Sequence, residues 1–313
     1  MAVYRVTDAQ LTAVADAIRA KTGGEEPLIF PQGFAQAVAA LEIGGAASPY
    51  VEYTTNESGA ITFAKLYGFT ALPASFFYGC TALTDVDWSE SPNLSSIGDQ
   101  AFYGCTGLQM TTLPNAVTSI GAKAFESSQV KLTALPTGLT TLGERAFSGC
   151  RSLAISALPS GLTVIPNYAF MNCLNITVST LPEGLTSIGA SAFKDCKKLA
   201  VSKIPAGVTS VGTLAFSGCT GLVNMEIACA VLGPNTKNFN NCTGLEKVWF
   251  RSSCETVAAA SAANSQFVGC SDSLAIYAEP AAKPAGWGDY FNRTGANGST
   301  AATVTWNQST RPW

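Results

Sequence analysis

The residues of this chain best equipped for chemistry are ten cysteines and one short acidic run, and no histidine accompanies them in 313 residues. Without imidazole there is no Ser/His/Asp or Cys/His couple to activate a nucleophile or shuttle a proton. A thiolate zinc site would want paired CxxC spacing or histidine partners, and neither is present. Asp85, Asp87 and Glu90 in TDVDWSES are the densest carboxylates. Such groups can bind calcium or, held in pairs, hydrolyse a glycosidic bond; here they read as solvated charges that blunt an exposed edge, with hydrolysis a remote alternative. Phosphate-cradling loops of the GxxxxGK[ST] or GxGxxG kind are absent. The expectation is a chain with no catalytic residue, no metal and no cofactor: not an enzyme.

The cysteines are informative through their spacing. Eight of them, Cys80, Cys105, Cys150, Cys173, Cys196, Cys219, Cys242 and Cys270, fall three residues after a phenylalanine. Those phenylalanines, Phe77, Phe102, Phe147, Phe170, Phe193, Phe216, Phe239 and Phe267, together with Phe125, recur at a period of about 23 residues, inside the leucine-rich-repeat range. After Phe125 the cysteine phase is taken by Ser128. Cys229 and Cys254 precede Leu232 and Val257 by three, where other repeats carry Leu162 before Ile165. All ten thiols therefore sit at core phases, stacked in parallel with their counterparts rather than facing them, and read as reduced small hydrophobes rather than disulfides.

The elements that must position these residues follow the same beat. In the type unit AFSGCRSLAISALPSGLTVIPNYAF, Leu153, Leu158, Leu162 and Ile165 complete an apolar set. The stretch after CxxL reads as a strand, ProXxxGly as a turn with proline second, and AlaPhe as one helical or 3-10 turn on the outer side. The fold class is a leucine-rich-repeat solenoid of about nine coils, each with a parallel β-strand and a short helical turn. Four segments result. Residues 1–43 read as a helical attachment module, with Thr7 and Gln10 as a capping box and Leu11, Val14, Ala15 and Ile18 on one face. Residues 44–59, opening with GGAASP, read as a linker, 60–277 as the solenoid, and 278–313 as a cap or tail.

Composition narrows the partners. A net charge of −3 and only 12% charged residues leave no basic patch for nucleic acid. No apolar run is long enough to span a membrane, so no membrane insertion is expected. The first residues, MAVYRVTDAQ, show no Sec signal.

The AFxxCxxL…LPxGLTxIG units resemble the leucine-rich repeats of the BspA-like group found in surface proteins of gut Firmicutes and other bacteria, over about residues 60–290. That resemblance implies adhesion or protein interaction at a cell surface, with a protein or glycan partner. Residues 7–41, TDAQLTAVADAIRAKTGGEEPLIFPQGFAQAVAAL, resemble an amino-terminal module of tail or minor structural proteins of Gram-positive phages and prophages. This implies a virion component, which leaves by lysis without a signal peptide. Two surfaces are candidates for contact. Counting on from each phenylalanine, Thr111, Thr133, Ser156, Ser179 and Ser202 should project from successive strands as a flat hydroxyl-bearing face open to a partner. Trp306 and Trp313, with Trp287, Tyr290 and Phe291, either stack sugars, as in a carbohydrate-binding module, or seal the last coil.

Overall fold

A computed structural model describes residues 4–7, 49–229, 231–232, 237–253, 256–257, 266–271, 273–280 and 304–313. The helices expected within 8–43 lie outside these residues, as do Cys254, Trp287, Tyr290 and Phe291. The chain divides into two compact units, Met1–Cys150 and Arg151–Trp313.

The first unit holds β1 (Tyr4–Thr7), β2 (Tyr50–Thr55), β3 (Ile61–Tyr67), β4 (Ala71–Leu72), β5 (Asp85–Glu90), β6 (Ser96–Ile97), β7 (Ser119–Ile120) and β8 (Thr141–Leu142). β1, β2 and β3 run antiparallel to their neighbours, and β5 adds to β3 in parallel. Residues 50–59, read from the sequence as linker, are thus strand and hairpin turn. The signal was present in YVEYTT and ITFAKLY, β-branched and aromatic residues either side of NESG. Asn56 builds that turn by accepting from the amides of Ser58 and Ala60 at 3.1 and 3.0 Å. Tyr4–Thr7, expected in the helical segment, is the strand that pairs with Tyr50–Thr55. β4, β6, β7 and β8 form a second, parallel sheet in which Ile97, Ile120 and Leu142 align on the buried side.

The second unit repeats this plan with β9 (Val164–Ile165), β10 (Ser187–Ile188), β11 (Lys203–Ile204), β12 (Ser210–Val211), β13 (Asn224–Ile227), β14 (Val231–Leu232), β15 (Lys247–Phe250), β16 (Thr256–Val257), β17 (Ala275–Ala278) and β18 (Val304–Thr305). Every strand pair here is parallel: β9-β10-β12, β14-β16, and β11-β13-β15-β17-β18. Parallel neighbours one repeat apart define a solenoid.

Side chains of the repeat hold successive coils together in three ways. Phenylalanine rings stack at 5.0–5.3 Å from Phe77 through Phe102 and Phe125 to Phe147, and at 5.5 Å from Phe170 through Phe193, Phe216 and Phe239 to Phe267. Burying each ring contributes about 2–3 kcal/mol. The threonine of GLTxIG donates its hydroxyl to the same residue's carbonyl one coil earlier, as in Thr140 to Thr118 at 3.3 Å and Thr209 to Thr186 at 3.2 Å. The thiols form the third ladder: Cys105 donates to Phe77 O at 3.0 Å, Cys150 to Phe125 O at 2.9 Å, Cys196 to Phe170 O at 3.0 Å and Cys219 to Phe193 O at 2.9 Å. All nine described cysteines are buried and unbonded to one another.

This ladder changes the physical role of cysteine from filler to donor. A serine hydroxyl has the donor to make the same bond; Ser128, fully buried at the cysteine phase, has its hydroxyl 3.5 Å from Cys150 Sγ. Cys219→Ala should therefore cost about 1–2 kcal/mol, through a lost donor and lost volume, and Cys219→Ser clearly less. Urea unfolding of the two variants checks the order; serine as damaging as alanine would show that the bond contributes nothing.

No helix or 3-10 turn occurs among the described residues, and the expected outer helical turn is replaced by a different device. Positive φ angles flank the repeat phenylalanines from Phe77 to Phe239 by two residues: Lys123 at 56° and Ser127 at 60° around Phe125, Leu214 at 60° and Gly218 at 72° around Phe216. Each left-handed residue ends one tight turn and begins the next. Glu126 N and Ser128 N close short turns on Lys123 O and Phe125 O, while Lys123, Phe125 and Ser127 donate to Glu144, Ala146 and Ser148 of the following coil, each at 2.8 Å. A helix would direct all these amides along its own axis and leave the coils unconnected. The proline turn also differs: Leu162 N donates to Pro159 O at 3.2 Å and Leu185 N to Pro182 O at 3.1 Å, so proline is the first residue of the turn, not the second.

Candidate functional site

The face that follows CxxL carries the sequence-derived contact residues, and its backbone is less regular than expected. Met110, Thr111, Thr112 and Leu113 run buried, exposed, exposed, buried, and Leu132, Thr133, Ala134 and Leu135 repeat the pattern. Two consecutive outward residues break the period-two alternation of a strand. Accordingly no strand forms at 110–113 or 132–135, whereas the strand expected after CxxL is present as β5, β13, β15 and β17. At 110–113 and 132–135 the coils are tied by single bonds, Gln109 N to Thr84 O at 2.8 Å and Lys131 N to Met110 O at 2.9 Å. The resulting gaps are open grooves. One, of about 800 Å³, is lined by residues of β5 (Asp85 to Ser89), by Phe63 and Pro92, and by 110–115. The other, of about 200 Å³, lies between 111–115 and 133–137.

In the first unit Thr111 lines both grooves and Thr133 the smaller one. In the second unit Ser156 and Ser179 are exposed and Ser202 is half-buried, its amide donating to Ser179 O at 3.3 Å and its carbonyl accepting from Glu226 at 2.8 Å.

The acidic run, read as solvated charge, forms one wall of the larger groove. Asp87 Oδ1 accepts from the Ser89 amide at 2.8 Å. That bond, with the Ser89 hydroxyl and Lys65, outweighs partial burial and holds the Asp87 carboxyl below its ordinary value. Its contribution to stability is present above the usual carboxylate range and is lost as pH falls through the lowered value. Lys65 Nζ lies 3.5 Å from both Asp87 Oδ2 and Glu90 Oε1. Trp88, half-buried in the groove, donates its indole N–H toward Met110 Sδ at 3.3 Å and meets Phe102 edge-on at 6.1 Å. Sequence reasoning did not connect Trp88 or Asn115 to Thr111; only the separation of two coils brings them together. Among the described residues no cluster of His, Cys, Asp and Glu has the makings of a metal site.

Of the two tryptophans considered for sugar stacking, Trp306 is half-buried. Trp313 packs its ring edge-on to Trp249 at 6.3 Å and buries Nε1 with no hydrogen-bond acceptor among the described residues. Trp249 is 2% exposed, donates to Gln308 O at 3.2 Å and lies under the Arg251 guanidinium at 4.5 Å. Residues 304–313 thus lie against the second unit's strands, with β18 beside β17.

Parallel coils of about 23 residues, a buried phenylalanine and thiol at fixed phase, and a turn-built outer side define a bacterial type of leucine-rich-repeat protein. Residues 70–200 and 163–270 match the BspA type leucine rich repeat in six copies, and the chain belongs to that family. Among solved structures it is similar to a leucine-rich repeat protein of Bacteroides ovatus, with 23% identity over 72% of this chain and 65% of that one and a TM-score of 0.45. It is also similar to a leucine rich cell surface protein of Faecalibacterium prausnitzii, with 22% identity over 60% and 65% and a TM-score of 0.36. A leucine-rich repeat protein of Eubacterium ventriosum shares 17% identity over 85% and 95%, with a TM-score of 0.40. The chain spans about 65% of the length of the first two. No curated protein matches it.

Proposed function

We propose that this chain is a non-enzymatic adhesion and interaction scaffold, carried on a virion or a cell surface, and that a protein or glycan partner docks on the face following CxxL. The observation that carries the reading is the character of that face. Thr111, Thr112, Thr133 and Ala134 in one unit, and Ser156 and Ser179 in the other, are small, exposed side chains over a fixed backbone, and in the first unit they border open grooves. Small side chains let a partner approach the backbone closely, and repeat proteins use such broad faces for binding. A catalytic role finds no support in the chemistry: the sequence has no histidine, and Asp87 and Glu90 are engaged by Lys65.

The setting we favour is a prophage structural component, on the strength of the sequence of residues 7–41, with a bacterial surface protein as the alternative. No helix among the described residues is long and apolar enough to cross a membrane. Immunogold labelling of the producing culture and of purified virions tests the setting. Label on virions is expected, label on the envelope alone would move the protein to the cell surface, and label confined to the cell interior would remove both.

A further inference from the structure

We propose that the larger groove takes one extended segment of a partner protein, with lysine or arginine at alternate positions, added as a strand along the free edge of β5. This rests on the reading that the face following CxxL is where partners dock, and it names the partner's chemistry at one site.

The edge itself is the first argument. β5 pairs with β3 on one side, Phe63 beside Asp85, Ala64 beside Val86 and Lys65 beside Asp87. On its other side the sheet stops. Beyond the bond from Gln109 N to Thr84 O, no backbone hydrogen bond among the described residues joins 85–90 to 110–115. A six-residue strand that ends a sheet presents amide and carbonyl groups as a template for another chain. What lies along that edge is not packed protein but the groove of about 800 Å³, floored by Trp88 where its indole reaches Met110.

Charge complementarity selects the occupant. Asp85 and Asp87, two apart on the strand and so on one face, both line the groove. Asp85 is exposed; its carboxylate accepts from the Val86 amide at 2.9 Å and has no cation against it among the described residues. Asp87 and Glu90 share the single ammonium of Lys65. Asp85 and Asp87 are the charged residues among the groove's lining, and the ammonium beside Asp87 is shared with Glu90. The wall is left negative, and alternate cations on an added strand would meet it, since opposite charges across neighbouring strands attract. Thr111, Thr112 and Asn115 on the far wall offer hydroxyl and amide groups to the remaining side chains.

The test uses the full chain and end-blocked fluorescent hexapeptides read by anisotropy: alternating Lys-Thr, alternating Glu-Thr, and the Lys-Thr peptide N-methylated at alternate amides. The Lys-Thr peptide should bind with a Kd on the order of 100 µM and the Glu-Thr peptide not at all. N-methylation should weaken binding about ten-fold through lost main-chain bonds, and D85N/D87N about ten-fold at low salt. Thr111→Arg, an exposed substitution, should block the groove without moving the melting temperature. Binding indifferent to N-methylation would be charge attraction alone and would overturn strand addition. So would a neutral glycan, rather than the peptide, competing for the groove. Absence of peptide binding, with a partner still crosslinking to Thr133 or Ser179, would remove this inference and leave the docking face standing.

Discussion

Above about pH 9 this protein should lose stability steeply and unfold cooperatively within one to two pH units. The cause is the thiol ladder. Burial pushes Cys80 and Cys150 up to about 12, from an ordinary value of 9.0, and raises Cys105, Cys196, Cys219 and Cys242 well above it. For these acids the folded state holds its protons while the unfolded chain releases them, so the advantage of folding is intact below the unfolded value and drains away as pH rises toward the folded one. Each thiol costs about 1.4 kcal/mol per pH unit in that window. Six together amount to about 8 kcal/mol per unit, as large as the whole stability of a typical domain. Circular dichroism against pH reads the transition, and serine at any of these positions should move its midpoint upward. A native signal unchanged to pH 11 would show that the thiols ionise in place and that the burial argument is wrong.

A smaller but still large loss should follow one added methyl group. In Gly98 and Gly212 the backbone of the preceding coil passes where a side chain would begin. A Cβ on Gly98 would stand 2.6 Å from Ala74 N, and on Gly212 it would meet Ala190 N and stand 2.6 Å from Gly189 C. Backbone has no flexible end to move aside, so alanine at either place must force two coils apart. In the second case this strains the bond from Gly212 N to Ile188 O, 2.7 Å long, and the stack of Phe216 on Phe193. Gly212→Ala should cost about 3 kcal/mol or more. Gly184→Ala, with nothing within 4 Å of the new methyl, should be close to neutral or slightly stabilising. Equal urea midpoints for the two variants would refute the close-approach account.

These two results rest on features of very different legibility. The buried phase of phenylalanine and cysteine could be read from spacing, because a period of about 23 leaves one place per coil for a large ring and one for a small donor. The left-handed turns could be read on one side only. Two residues after phenylalanine stand Gly79, Gly104, Gly149, Gly218 and Gly269, with Asn172 and Asn241, types that accept a positive φ. Two residues before it stand Lys123, Arg145 and Leu214, which rarely do, and only the hydrogen bonds to the next coil reward it. GGAASP drew attention to a linker and away from the alternation in YVEYTT directly after it. The candidate site was half visible: Thr111 and Thr133 came from counting, whereas the groove depends on two coils parting where 110–113 fall out of step with β5. That step cannot be heard in a repeat whose apolar positions alone are counted.

The most direct measurement of the central claim, that partners dock on the face following CxxL, is site-specific photocrosslinking in the producing culture. A benzophenone side chain is placed at Thr133 or Ser179 on that face, and at Tyr103 or Met171 on the outer turns. The account predicts one discrete adduct from Thr133 or Ser179, none from Tyr103 and Met171, and unchanged melting temperatures. Adducts from the outer turns alone would contradict it.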